Sequence, residues 1–237
     1  MLKYVDSKKM GRNTGPDWLN SYFHFSFAEY YNPQNMHFGV LRVWNDDTVQ
    51  PGTGFPTHPH RDMEIISYVV EGELTHADSM GNQHTLSRGQ VQYMSAGTGV
   101  AHSEYNNIKK ILRFMQIWIL PDRQGYTPNY GDYRFEWKTR VDQWLPIATS
   151  YNNNKNKLTP IKVHADINMY ATYLTKGKKI KFEVHKNRQA YLVLLEGNAR
   201  INDIALTKRD ALEITEENIE IHSIDDAHIA VMEMAKQ

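Results

Sequence analysis

Cysteine is absent from the 237-residue chain. The absence excludes disulfide bonds, thiolate nucleophiles and zinc or iron–sulfur sites built from cysteine. A prevailing sign of charge is absent too, because 27 Lys and Arg residues balance 27 Asp and Glu residues. A neutral chain without a block of like charge gives no electrostatic basis for direct binding of nucleic acid or of an anionic membrane, and it leaves a protein partner open.

Long apolar runs are also missing. No stretch approaches the roughly 18 apolar residues of a membrane-spanning helix, and the start of the chain lacks the apolar centre of a secretion signal. We therefore expect a soluble cytoplasmic protein. The length suffices for one large domain or for two domains of roughly 100–120 residues, each with its own core.

Short β-prone runs alternate with turn signals along most of the chain. The turn signals include Pro51-Gly52, Glu71-Gly72 and Arg88-Gly89. The runs between such signals are rich in Val, Ile, Tyr and Phe, as in residues 37–44, 64–70, 90–96 and 111–120. This pattern predicts an all-β barrel or sandwich. Room for helix is left at 18–31 and 136–150.

A polar, asparagine-rich segment at 149–160 indicates an exposed connector, after which a second β unit begins. A linker anywhere between about 135 and 160 fits this pattern. We therefore expect two domains, which span residues 1–135 and 136–237.

The two halves share an internal pattern. When Gly52 is aligned with Gly177, His60 falls on His185, and the Glu-Gly turns of the two halves coincide. After a single gap, His102 falls on His222. The pattern predicts two copies of one β unit, the first complete and the second eroded.

Two histidines flank Pro59 before a strongly apolar run. Residues i and i+2 of a strand point to one face, so His58 and His60 aim together. Pro59 cannot donate a ladder hydrogen bond, and we expect it at a strand start or edge. His102 and Glu104 repeat the spacing after a glycine-rich turn. Two such strands, adjacent in a small barrel, would present three histidines and one carboxylate to one point.

This donor set predicts one bound metal ion. Imidazole suits iron, copper, nickel and zinc, and a carboxylate without thiolate favours non-haem Fe(II), with Mn, Ni, Cu, Co and Zn as alternatives. Open positions on the ion could take a bidentate substrate, O₂ or water. Glu64 is the rival carboxylate because it lies four residues beyond His60. We rank Glu104 as the ligand and Glu64 as a group that orients a histidine.

Other histidines of the first half are expected outside the site. His76 and His84 lie in or beside a polar hairpin and are predicted to face solvent. His24 and His37 lie in aromatic-rich stretches and are predicted to pack rather than to bind metal.

Several motifs resemble those of a known family. Gly52, His58 and His60 fit the first cupin motif, and His102 and Asn106 fit the second. Five blocks in order resemble bacterial members of the pirin family, at residues 18–33, 41–47, 58–82, 94–106 and 116–121. The resemblance is dense from residue 18 to about 135 and weaker afterwards.

The resemblance implies a bicupin fold, with two jelly-roll β-barrels packed face to face and metal in the N-terminal barrel only. It implies a mononuclear metal, usually iron, held by His58, His60, His102 and Glu104. Bacterial members are associated with quercetin 2,3-dioxygenase activity, and eukaryotic relatives act as nuclear co-regulators.

Some positions depart from the family pattern. Phe23 stands where many relatives have a histidine, which changes the polar lining of the pocket. In the second half Glu183 replaces the first histidine of the motif, Ile224 replaces the glutamate, and no glycine-rich turn precedes His222. We expect no metal there, and we expect this half to cover the first barrel and shape its entrance.

The favoured function is an Fe(II)-dependent dioxygenase that cleaves a flavonol such as quercetin with O₂ and releases CO. Glu104 or Glu64 would accept the proton of the substrate hydroxyl. The alternatives are a metal-binding, redox-responsive regulatory protein and an enzyme with another native substrate. Six aromatic residues near the motifs are candidates for an apolar pocket lining: Phe25, Phe27, Phe38, Phe55, Tyr105 and Trp118.

Overall fold

The structure is a computed structural model that describes residues 1–152 and 159–236. Within these ranges the chain forms 22 β-strands and two short 3-10 helices, Ser7–Lys9 and Trp137–Arg140. The first twelve strands are β1 (Leu2–Val5), β2 (Gly11–Arg12), β3 (Leu19–Phe23), β4 (Leu41–Val49), β5 (Gly54–His60), β6 (Glu64–Glu71), β7 (Glu73–Asp78), β8 (Gln83–Ser87), β9 (Val91–Ser95), β10 (Val100–Tyr105), β11 (Leu112–Ile119) and β12 (Asn129–Tyr133). The other ten are β13 (Leu145–Ser150), β14 (Ile161–Val163), β15 (Ile167–Leu174), β16 (Lys179–Phe182), β17 (Arg188–Glu196), β18 (Asn198–Ile201), β19 (Ile204–Thr207), β20 (Ala211–Thr215), β21 (Ile219–Ser223) and β22 (Ala227–Ala235).

The described residues form two compact units. The N-terminal unit comprises Gly11–Phe135 and Val163–Ala165, and the C-terminal unit comprises the described parts of Met1–Met10, Glu136–Lys162 and Asp166–Gln237. The first ten residues thus depart from the predicted domain 1–135, because β1 pairs antiparallel with β20. The metal-binding and metal-free roles expected of the two halves stay predictions.

The N-terminal unit is built from two antiparallel sheets. One has seven strands in the order β12-β9-β6-β11-β4-β3-β2, and the other has four in the order β5-β10-β7-β8. Apolar side chains from both sheets share one core: Val49, Val69, Leu74, Leu86, Leu112 and Phe114. Full burial of each such side chain contributes about 1.5–3 kcal/mol to folding. Pro59 lies on β5, which is an edge strand, as predicted.

The C-terminal unit repeats this topology. Its sheets run β1-β20-β17-β22-β15-β13-β14 and β16-β21-β18-β19. Each strand has a counterpart in the first unit, and β1 takes the edge position that β12 occupies there. The prediction of two copies of one β unit is confirmed by this match. The core is aliphatic, with Leu192, Leu194, Ile201, Leu212 and Ile221 fully buried.

The room left for helix at 18–31 and 136–150 is mostly occupied by strand and loop in the structure. Leu19–Phe23 is strand β3, because it pairs with β4 and buries alternate side chains, among them Ser21 and Phe23. The second segment holds the 3-10 helix Trp137–Arg140 and strand β13.

No helix in the described part of the chain is long and apolar enough to cross a bilayer. The predicted connector at 149–160 begins inside β13, and its residues 153–158 lie outside the described ranges.

The glycine-rich turn before β10 has a specific backbone requirement. Gly97 has a φ of 43°, in the left-handed region that favours glycine. A Cβ atom there would lie 1.9 Å from the backbone oxygen of Tyr126. The amide of Thr98 donates a hydrogen bond to that same oxygen at 2.9 Å. Only glycine allows this close approach, which fixes the point where β10 begins.

Candidate metal centre

Strand register brings three histidines together in the N-terminal unit. Strands β5 and β10 are antiparallel neighbours, with His58 directly opposite His102 and His60 opposite Val100. The ring centroids of the three histidines lie 4.5–4.9 Å apart, and one nitrogen from each ring lies within 4.8 Å of the others. Among the described residues, these three side chains form the group of three or more His, Cys, Asp or Glu residues that is placed to hold a metal ion.

The cluster borders a cavity of about 350 Å³. His102 is buried, whereas His58 and His60 are partly exposed and line the cavity. Aromatic side chains form much of the wall, namely Phe23, Phe27, Phe55 and Trp118. The ring of Trp118 meets that of His60 edge-on, at a centroid distance of 4.8 Å.

Hydrogen bonding leaves lone pairs for a metal ion. The Nδ1 atom of His58 lies 2.8 Å from the carbonyl oxygen of Pro56. Since a carbonyl only accepts, the proton sits on Nδ1 and the Nε2 lone pair is free to bind a metal. Nε2 of His102 is buried without a hydrogen-bond partner among the described residues. Such a buried, unpartnered nitrogen is expected of a metal ligand, so the residues present fit a divalent ion.

Burial keeps two of the ligand candidates unprotonated at neutral pH. The pKa of His60 is lowered to about 4 by burial and then by the neighbouring histidines, against a smaller opposing effect of Glu104. The pKa of His102 is lowered to about 3, again mainly by burial. Both rings therefore offer lone pairs across the physiological range.

Glu104 lies outside the three-histidine cluster. Strand β10 keeps its alternation, with His102 and Glu104 buried and Ser103 partly exposed between them, although the β5 pairing shifts register between the two residues. The oxygens of Glu104 accept hydrogen bonds from Ser67 Oγ at 2.8 Å, Gln92 Nε2 at 3.1 Å and Gln116 Nε2 at 3.0 Å. Its role as a fourth ligand stays a prediction.

Glu64 is buried, and both of its oxygens are occupied. Oε1 accepts a hydrogen bond from Ser95 Oγ at 2.6 Å, and Oε2 accepts one from the backbone amide of His164 at 3.1 Å. Burial raises the pKa of this carboxyl. Within the described residues it makes no hydrogen bond to the clustered histidines, and a catalytic or orienting role for it stays a prediction.

Two of the other histidine predictions are wrong. His76 is fully buried rather than solvent-facing, because alternate residues of β7 point inward and this strand pairs with β10. His37 is exposed, and its ring bonds the carbonyl of Gly39. His84 is exposed and His24 is buried beside Trp44, as expected. The sequence signal for His76 was its place two positions after the apolar Leu74, which puts both side chains on the same face of the strand.

The cavity wall also contains residues that sequence reasoning missed. Asn45 and Asp47 of β4 are buried and line the cavity. Burial raises the pKa of Asp47 to about 7, although Ser21 Oγ donates a 2.5 Å hydrogen bond to it. Of the six predicted lining aromatics, the cavity is bordered by Phe27, Phe55 and Trp118. Phe23, the departure from the family pattern, lines it as well.

Strand pairing in the C-terminal unit places His222 at a different position from that of His102 in the first unit. His222 pairs with Lys179, so its structural counterpart in the first unit is Tyr105, which pairs with Gly54. The predicted correspondence of His222 with His102 is therefore wrong. Glu183 and His185 come directly after the end of β16. Their side chains are 67% and 75% exposed, respectively.

Two double-sheet β units, the first with a histidine cluster that fits a divalent metal ion, define a protein of the cupin class. The pirin family model matches residues 6–119, and the model described as quercetinase C-terminal cupin domain matches residues 150–234. The bicupin fold expected from the sequence is confirmed by these matches and by the structural neighbours below.

Relatives along the whole chain identify the family. A pirin-like protein of Caulobacter vibrioides is 39% identical over 234 residues, which cover 98% of this chain and 100% of the relative. A quercetin 2,3-dioxygenase of Escherichia coli K12 is 40% identical over 219 residues, 92% of each chain. The chain belongs to the pirin family.

Solved structures agree with this assignment. The crystal structure of YhhW from Escherichia coli has a TM-score of 0.91 and 36% identity, and the match covers 100% of this chain and 99% of that one. The structure of the same bacterial pirin in complex with nickel(II) has a TM-score of 0.90 and 36% identity, with full coverage of both chains.

Proposed function

We propose that the protein is an Fe(II)-dependent dioxygenase that cleaves a flavonol such as quercetin with O₂ and releases CO. The observation that carries the proposal is the cluster of three imidazoles beside an aromatic-lined cavity. The Escherichia coli relative named quercetin 2,3-dioxygenase supports the reaction class, and the nickel(II) complex of YhhW supports a divalent ion.

In this proposal His58, His60 and His102 hold the metal, and Glu104 supplies a carboxylate. A divalent ion bound there polarises the oxygen of a coordinated hydroxyl and eases the loss of its proton. Iron is favoured over the other first-row metals because the donor set combines imidazole with carboxylate and lacks thiolate.

The cavity suits a flat polyphenol. The rings of Phe27, Phe55 and Trp118 supply apolar wall, and ring faces and edges of this kind favour stacking with an aromatic ligand. Asn45 and Asp47 supply polar groups in the same cavity, and these can bind hydroxyl groups. A few placed polar groups in an apolar wall are typical of a small-molecule site.

Glu104 is the proton acceptor that we favour, with Glu64 as the second candidate. The carboxylate of Glu104 is hydrogen-bonded to Gln116, which lines the cavity. Glu64 is bonded instead to Ser95 and to the backbone of His164, neither of which lines it. A general base must lie within reach of the proton that it accepts, directly or through one water, and Glu104 adjoins a residue of the cavity wall whereas Glu64 does not.

The test is an aerobic assay with metal-reconstituted protein. Separate samples are loaded with Fe(II), Mn(II), Co(II), Ni(II) or Cu(II), their metal content is measured, and quercetin is added in air. We expect loss of the flavonol absorbance and release of CO from the iron-loaded sample. Absence of turnover with all five metals, in samples shown to contain them, contradicts the proposal.

A further inference from the structure

A second buried histidine lies against the candidate metal ligand His102. The Nδ1 atoms of His76 and His102 are 3.5 Å apart, and the ring centroids are 5.4 Å apart. Nε2 of His76 lies 3.1 Å from Oδ2 of Asp78, and both of those side chains are fully buried. A chain of contacts therefore runs from Asp78 through His76 to the ring edge of His102 that faces away from its unpartnered Nε2.

The carboxylate at the end of this chain is firmly held. Oδ1 of Asp78 accepts hydrogen bonds from the backbone amides of Met80 and Asn82, and the side chain of Asn82 donates to both oxygens. Burial opposes ionisation of Asp78, but the hydrogen bonds from Asn82 and His76 outweigh it and hold the pKa below its ordinary value. The ring of Tyr130 stacks on His76 at 4.6 Å and 15°, which fixes the plane of the imidazole.

Proton placement follows from these contacts. An ionised Asp78 only accepts, so the single proton of a neutral His76 sits on Nε2. Nδ1 of His76 then carries a lone pair and accepts the Nδ1 proton of His102. His102 is left with its lone pair on Nε2, the buried nitrogen that has no hydrogen-bond partner among the described residues.

We propose that His76 and Asp78 are positioning residues of the metal centre, which hold His102 in the tautomer and orientation that present Nε2 to the ion. The inference rests on the proposed metal site. Metal-binding histidines commonly donate their other ring N–H to a carboxylate or a carbonyl, and removal of such a partner costs about 10–100-fold in metal affinity. Here a second histidine is placed between the ligand and its carboxylate.

The test compares four variants by two measurements. His76→Phe keeps a ring but cannot accept a hydrogen bond, whereas His76→Gln retains an acceptor oxygen. Asp78→Asn removes the charge, and His84→Phe is the matched control, because His84 is exposed and lies opposite His76 on β8. The measurements are Co(II) affinity by competition with a chelator, and the His102 tautomer by ¹⁵N NMR of the metal-free protein.

We expect His76→Phe and Asp78→Asn to weaken Co(II) binding by about 10–100-fold and His76→Gln to restore part of the loss. In the metal-free wild type, His102 should be protonated on Nδ1, and His76→Phe should shift it towards the Nε2-protonated form. If His76→Phe does not fold, the metal affinity and the His102 tautomer are measured in Asp78→Asn and His76→Gln instead. Wild-type affinity and an unchanged tautomer in the folded variants overturn the inference, whereas failure of the wild type itself to bind Co(II) overturns the metal site.

Discussion

His58 and His102 face each other across neighbouring antiparallel strands, with their ring centroids 4.5 Å apart. The candidate metal centre thus depends on the register of β5 against β10. If one of these strands shifted by one residue against the other, its histidine side chains would point to the opposite face of the sheet. The turn at Gly97 and the core beneath the sheets help to hold this register. Metal binding should therefore depend on them as well as on the ligands.

Gly97→Ala should destabilise the fold and weaken metal binding. The added methyl group meets the Tyr126 carbonyl, and the residue is held at positive φ. Gly81→Ala is the control, since it has a φ of 90° but open space around it. The positive φ alone costs a non-glycine residue about 1–3 kcal/mol at either position. At Gly97 the clash with the Tyr126 carbonyl adds to that cost, whereas Gly81 has no such clash. Chemical unfolding should show a larger loss for Gly97→Ala, and equal losses would contradict the close-approach account.

Asp46→Ala should cost about 3–5 kcal/mol of unfolding free energy. Asp46 accepts two hydrogen bonds from the Arg113 guanidinium, at 2.8 and 2.6 Å, and both side chains are buried. The variant leaves a buried, unpaired cation. The exposed pair of Lys179 and Glu220 offers the comparison, because Glu220→Ala should cost much less than Asp46→Ala. Urea unfolding of both variants checks the contrast, and similar losses would count against it.

The stability of the metal-free protein should depend on pH through Asp47. Its pKa is raised from its ordinary value of 3.8 to about 7 by burial, so the folded state binds the proton more tightly than the unfolded state. The stabilisation is fully present below about pH 4 and is lost as pH rises through about 7. Relative to Asp47→Asn, the wild type should therefore lose unfolding free energy between pH 5 and pH 8. Parallel pH profiles for the two proteins, measured with chelator present, would contradict this prediction.

Trp118→Ala should raise KM for the flavonol more than it lowers kcat. The ring lines the cavity and meets Phe27 and His60 edge-on, at 5.3 and 4.8 Å. Loss of an aromatic contact with the substrate costs about 0.5–1.5 kcal/mol beyond the area effect, which corresponds to roughly a 2- to 12-fold change in binding. Tyr133→Ala is the control, because that ring is 45% exposed and outside the cavity lining. Steady-state kinetics that show the same effect for both variants would refute a substrate-binding role for Trp118.

The sequence predicted the strands and the convergence of three histidines well, because both depend on period-two alternation and turn chemistry. The burial of Glu104 beside His102 on β10 follows the same alternation, and the role of Glu104 as a ligand stays a prediction. The sequence missed His76 because a polar hairpin composition concealed an inward-facing position. Strand β1 could not be predicted from local pattern either, because its partner β20 lies more than two hundred residues away in the chain.

The segment 18–31, where the sequence left room for helix, also depends on a distant partner. Leu19–Phe23 pairs with β4, and this tertiary contact outweighs any local preference. The alignment of His222 with His102 failed because a single gap left His222 three positions from its counterpart Tyr105, and only the strand pairing reveals that offset. Strand pairing, which is a property of two strands together, therefore decides the structure of Leu19–Phe23 and the position of His222.

Metal stoichiometry tests the central claim most directly. Wild type, His60→Ala and His185→Ala are reconstituted with Fe(II) under anaerobic conditions, freed of excess metal and measured by elemental analysis. We expect about one ion per chain in the wild type and in His185→Ala, whose side chain is exposed, and almost none in His60→Ala. Two ions per chain in the wild type, or a full ion in His60→Ala, would contradict the account.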